Sequence, residues 1–214
     1  MEKMDIHIVG LGNLGSAFLK GLSDLHEKTD IYLYDESKNA RQLIQENYSL
    51  TPEEFSSEIS NGVLILCIKP QDINKFFETH KDKITKDVLI CTPVAGLEIN
   101  TVEKYLSNNI LRIMPNLLIQ DKAGFIPFSS NYEGDYLNFI KNILEDLGTV
   151  KEIDESMFPI VTALSGSGPA WFYELSNQLV NSGTQLGLSI EDSELIIKEI
   201  VKALPSLVRK DETF

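Results

Sequence analysis

Two stretches of this chain combine residue types that can hold an anion. Gly10-Leu11-Gly12-Asn13-Leu14-Gly15 follows an apolar run and opens a helical pattern. In that arrangement a helix N-terminus offers its backbone N–H groups to a pyrophosphate. Gly10 permits the tight turn, Gly12 removes a side chain where the pyrophosphate approaches, and Gly15 lets helix and sheet pack closely. Asp35, twenty residues after Gly15, ends the next apolar run. A carboxylate there accepts hydrogen bonds from the adenosine ribose and repels a 2′-phosphate, which leans toward NAD, although Lys38 and Arg41 stand close enough in sequence to leave NADP open. The second stretch, Thr162–Trp171, packs Ser, Gly and Pro into the entry of an apolar helix. Its N–H groups and dipole would suit a carboxylate or phosphate. Together the two predict a dinucleotide enzyme with a second, small-ligand site.

Three further segments follow apolar runs: Lys69-Pro70, Thr92-Pro93-Val94-Ala95-Gly96 and Met114-Pro115-Asn116. Ligands of open α/β sheets bind beyond the carboxyl ends of strands, where these segments would fall. Lys69 could touch the ribose or nicotinamide side of a dinucleotide. The Asn116 amide can both donate and accept there. The plainer alternatives are a surface lysine before a Pro-started helix, an asparagine in a turn and a solvent-exposed Asp35. Cys67 and Cys91 lie inside apolar segments and read as buried, reduced thiols, and no Cys/His spacing supports a metal. His7, His26 and His80 are scattered and read as structural or surface residues.

The elements that must position these groups follow from hydrophobic periodicity. Strands are expected at Asp5–Val9, Ile31–Tyr34, Val63–Ile68, Val88–Cys91 and Leu111–Met114, alternating with helix-capable segments. Two more, Gly124–Phe128 and Thr149–Ile153, flank a helix through Tyr136–Leu147. This alternation gives an α/β, doubly wound, mostly parallel sheet. After Ile153 the pattern is helical only: Gly168 to Leu186, a break at Gly187, then a helix capped by Ser189 and Asp192. Ile196, Ile197, Ile200, Val201 and Leu204 form its apolar stripe, and Pro205 ends or kinks it. Two such helices cannot bury both faces against each other and must dock on the sheet domain or on a second subunit; a symmetric homodimer through this tail is expected.

The net charge of −13 speaks against a nucleic-acid or anionic-membrane surface. No apolar run reaches membrane-spanning length and no signal-peptide pattern precedes the first strand, so the expected location is cytoplasmic.

Taken together, the glycine loop, Ile68-Lys69-Pro70-Gln71, Ala95-Gly96, Arg112-Ile113-Met114-Pro115-Asn116 and the run Thr162–Ala170 resemble the pyrroline-5-carboxylate reductase family, in order and over essentially the whole chain. The resemblance implies a Rossmann-type dinucleotide-binding domain over residues 1–153 and a short all-helical dimerisation and substrate domain over 154–214. It implies reduction of the cyclic imine 1-pyrroline-5-carboxylate to L-proline with NADPH, the family's commoner donor, or NADH. By the same resemblance Gly10, Leu11, Gly12, Asn13, Leu14, Gly15, Asp35, Lys69, Pro70, Ala95 and Asn116 would hold the cofactor, and Ser165, Gly166 and Ser167 the substrate carboxylate. Three departures stand out. Leu117-Leu118 replaces the usual Thr-Pro, Thr92-Pro93-Val94 stands where small residues are usual, and no Ser-Pro-Gly-Gly-Thr-Thr segment occurs before Phe214. They leave two rival readings open: a dinucleotide-binding relative with a regulatory or partner-binding role, and a reductase of another small imine or keto acid.

Overall fold

The strands are short apolar runs, and most are buried on both faces, as parallel strands covered by helices must be. In the computed structural model, which describes residues 4–22 and 29–206, these runs form one seven-stranded sheet. The strands are β1 (Ile6–Val9), β2 (Ile31–Tyr34), β3 (Val63–Leu66), β4 (Leu89–Thr92), β5 (Ile110–Ile113), β6 (Gly124–Ser130) and β7 (Gly148–Glu152). Their spatial order is β2-β1-β3-β4-β5-β6-β7. The first five pair in parallel, β5 and β6 are antiparallel, and β6 and β7 are parallel again. The reversal at β5 has a simple cause. Only a short 3₁₀ turn, Leu117–Asp121, joins β5 to β6, and a parallel crossover needs about a dozen residues or more.

Successive residues of each strand serve opposite faces, so the sheet separates two cores. Ile6, Ile8, Val63, Ile65, Leu111 and Ile113 meet helices α1 (Asn13–Gly21) and α5 (Asp135–Glu145). Val9, Leu64, Leu66, Ile90 and Ile110 meet Phe55, α3 (Ile73–His80) and α4 (Ile99–Val102). Helix α2 (Lys38–Tyr48) follows β2, with the Ser37 hydroxyl capping its start.

The compact sheet unit runs through Gly166. A nonlocal tie accounts for this. Glu155 accepts from Arg112 Nη1 of β5 at 2.7 Å and from the Ile99 N–H at 2.9 Å. The Arg112 guanidinium also lies 4.5 Å from the centroid of the buried Phe158 ring. These contacts bind α6 (Phe158–Val161) to the sheet.

The second unit, Ser167–Phe214, contains α7 (Gly168–Gln185) and α8 (Ile190–Ala203). The turn at Gly187 has φ of 102°, and Ser189 Oγ accepts from the Asp192 N–H at 3.0 Å. A 3₁₀ turn containing Pro205 follows α8, as the sequence predicts.

Candidate functional site

The strand order reverses between β1 and β3, and a crevice opens beyond the carboxyl ends of those two strands. Gly10 leaves β1 with φ of 91°, a region that disfavours side chains, and a Cβ there would stand 2.6 Å from the Cys67 carbonyl oxygen. At Gly15 a Cβ would overlap the Gly10 carbonyl oxygen, so this glycine is required by close packing of helix on turn. Gly12 differs. It is exposed, its φ is negative, and a Cβ would meet no atom of the described residues within 4 Å. Protein packing does not ask for glycine here, whereas a ligand approaching the backbone does. Gly12 also caps α1 without a side chain, leaving the first-turn N–H groups for such a ligand.

Asp35 fixes this loop. Its Oδ2 accepts the Leu11 N–H and its Oδ1 the Ser37 N–H, each at 2.7 Å. A cleft of about 370 Å³ follows, lined by Gly10, Gly12, Asp35, Glu36 and Lys69 and by the rings of Phe55, Phe76 and His80. Lys69 is exposed and stands before the 3₁₀ turn Pro70–Asp72, with Pro70 at its first position. Leu11 is buried, Leu14 packs against the core and Asn13 is exposed. The aromatic wall was not legible in the sequence. Phe55 comes from the long connection between α2 and β3, and Phe76 and His80 from α3. Glu36 had a signal, as a second carboxylate directly after Asp35.

Ala95, Asn116 and Ser165 lie outside that lining. Ala95 is exposed in the turn after β4. Asn116, just beyond β5, is buried, and both ends of its amide are engaged. Oδ1 accepts the Leu118 N–H at 3.2 Å, and Nδ2 donates to the Ser165 carbonyl at 3.2 Å and to its hydroxyl at 3.4 Å. The Ser/Gly run is not an open loop before a helix. Thr162–Gly166 is a π-helical turn that continues α6, a form frequent at functional sites. Pro169, four residues after Ser165, has no N–H for the Ser165 carbonyl, and Asn116 supplies the missing donor. Ser165 is half-buried, Gly166 and Ser167 are exposed, and Ser167 belongs to the second unit.

Burial holds the His7 imidazole at a pKa of about 4 and also lowers that of His80, so neither is a protonated acid at neutral pH. Both cysteines are free thiols, pushed up by burial and therefore poor nucleophiles. His26 lies outside the described residues. Among the described residues no cluster of ligands could hold a metal, and no helix is long and apolar enough to cross a membrane.

Residues 5–96 match a family described as NADP oxidoreductase, coenzyme F420-dependent, and residues 155–214 one described as pyrroline-5-carboxylate reductase dimerisation. A pyrroline-5-carboxylate reductase of Staphylococcus haemolyticus is 30% identical over 98% of this chain and 80% of its own length. The structure of the Plasmodium falciparum pyrroline carboxylate reductase with NADP bound superposes with a TM-score of 0.83 at 25% identity, over 99% of this chain and 81% of that one. The 1-pyrroline-5-carboxylate reductase of Streptococcus pyogenes gives 0.79 at 26%, over 100% and 83%. The glycine loop at the β1/β3 crevice, the Asn116–Ser165 contact and these likenesses along nearly the whole sequence agree: this chain belongs to the pyrroline-5-carboxylate reductase family.

Proposed function

We propose that the chain reduces 1-pyrroline-5-carboxylate to L-proline, using NADH or NADPH bound in the β1/β3 crevice. The observation that carries this reading is the Asn116–Ser165 contact, which seats the π turn at the carboxyl end of β5, on the edge of the sheet where the cleft opens. The dinucleotide supplies a hydride to the imine carbon, and the protein's task is to orient the two reactants. Gly12 and the start of α1 receive the pyrophosphate, Asp35 accepts from the ribose, and Lys69, Pro70 and Ala95 border the cofactor's path. Ser165, Gly166 and Ser167 hold the substrate carboxylate through hydroxyl and backbone N–H donors. Asn116 acts by fixing Ser165. The proton for the imine nitrogen comes from solvent or from a serine hydroxyl, since burial keeps the His7 and His80 imidazoles neutral. A second copy of the chain covers the apolar helices of the second unit, in keeping with the dimerisation family matched there.

The test is spectrophotometric oxidation of NADH and of NADPH with and without added pyrroline-5-carboxylate. Imine-dependent oxidation is expected. Intact cofactor binding without turnover would overturn the reading in favour of a binding protein, and turnover only with other cyclic imines would reassign the substrate.

A further inference from the structure

In sequence, Asp35 leans toward NAD, while Lys38 and Arg41 beside it keep NADP open. The structure takes both cations away from the cleft. Arg41 Nη1 donates to the carbonyls of Asp35 at 2.6 Å and Glu36 at 3.1 Å, and Nη2 donates to Glu54 Oε1 at 3.0 Å. Lys38 and Arg41 line a separate depression beside α2, together with Gln42 and Gln45. Within the cleft, Lys75 is held by Glu36 at 3.2 Å, while Lys69 belongs to the end of β3.

Two of the N–H donors a 2′-phosphate would want at the start of α2 are also engaged. The Ser37 N–H serves Asp35 Oδ1 at 2.7 Å, and the Ala40 N–H serves Ser37 Oγ at 3.3 Å. A phosphate here would face the carboxylates of Asp35 and Glu36. A ribose hydroxyl, by contrast, is a donor. Each Asp35 oxygen accepts one backbone N–H and keeps a lone pair for it.

We infer that this chain selects NADH over NADPH, with Asp35 and Glu36 excluding the 2′-phosphate and Glu54 withholding Arg41 from it. The inference rests on the proposed function only in taking the cleft as the dinucleotide site. Like-charge contact, with Arg41 tied to Glu54 and Lys75 to Glu36, gives an expected preference of at least about ten-fold in Kd.

The experiment titrates the whole protein with NADH and NADPH separately, following dihydronicotinamide fluorescence with no imine present. Competition by 5′-AMP and by adenosine 2′,5′-bisphosphate reads the ribose end alone. NADH is expected to bind at least about ten-fold tighter, and 5′-AMP to compete better than the bisphosphate. Glu36→Gln, at an exposed position, and Glu54→Gln, which releases Arg41 Nη2, should each tighten NADPH several-fold and leave NADH nearly unchanged. Asp35→Asn removes the second carboxylate but also loosens the glycine loop, so the wild-type ratio and the two glutamate variants are the decisive measurements. Equal or tighter NADPH binding by the wild type, or a ratio that neither glutamate variant moves, would overturn the inference. Because binding is read without imine, absent turnover bears on the reductase reading alone.

Discussion

The sheet unit and the helical unit treat the same kind of residue in opposite ways. Phe18, Ile8 and Leu64 are fully buried, and the core side chains of β1, β3, β4 and β5 pack between helices on both faces. In α7 and α8, Trp171 is 62% exposed and Phe172, Leu175, Leu179, Ile196 and Ile200 are exposed as well, and Leu186, at the end of α7, is 89% exposed. Gly183 approaches the buried Ser193 where the two helices pack, yet that contact uses one side of each. The sheet unit satisfies its hydrophobic driving force within the chain. The helical unit carries apolar surface that its own two helices leave uncovered.

The sharpest way to break this contrast is to damage one unit and watch the other. Phe18→Ala should cost the sheet unit about 4 kcal/mol, through lost burial and a cavity. Denaturant unfolding followed by circular dichroism would show it. Leu175→Asp combined with Leu179→Asp should leave the unfolding midpoint of the sheet unit in place while converting the dimer to a monomer in light scattering. A monomeric wild type, or a double variant that still self-associates, would erase the contrast between the two units.

A smaller effect separates two glycines within the sheet unit. Gly15→Ala should destabilise by about 3 kcal/mol, because the new methyl meets the Gly10 carbonyl and backbone must shift. Gly12→Ala has open space and should stay within about 0.5 kcal/mol of wild type, yet weaken dinucleotide binding at least ten-fold or so. Equal losses of stability at both positions would show Gly12 to be structural after all.

A further effect is pH-dependent and belongs to the sheet unit, since the stretch after Gly166 contains no histidine. His7 has a folded pKa lowered by burial to about 4, from 6.5 when unfolded. Its contribution is complete above pH 6.5. It is lost as the pH falls toward 4, where the unfolded chain takes up a proton that the folded chain refuses. The slope in that window is about 1.4 kcal/mol per pH unit. His7→Gln should remove most of it, leaving the smaller share of His80, whose pKa is lowered in the same direction. An unchanged slope in urea titrations at several pH values would show that His7 is not the group responsible.

Local pattern was enough to place the strands, the glycine loop with Asp35, the break at Gly187 and the Ser189 cap. Each depends on neighbours within a few residues: apolar periodicity for the strands, backbone sterics for the glycines, a side chain reaching its own helix start for Ser189. The same locality explains why Lys38 and Arg41, read in sequence, left NADP open beside Asp35. Only the folded chain brings Glu54 to Arg41, sets Phe55, Phe76 and His80 in the same crevice as Gly12, and pairs Arg112 with Glu155. The π turn is intermediate. Pro169 announces a carbonyl without a donor, but that Asn116 provides one was decided by β5. Contacts between residues far apart in the chain depend on strand order and burial, for which no short-range pattern exists, and those contacts separate a glycine-loop sheet in general from this site in particular.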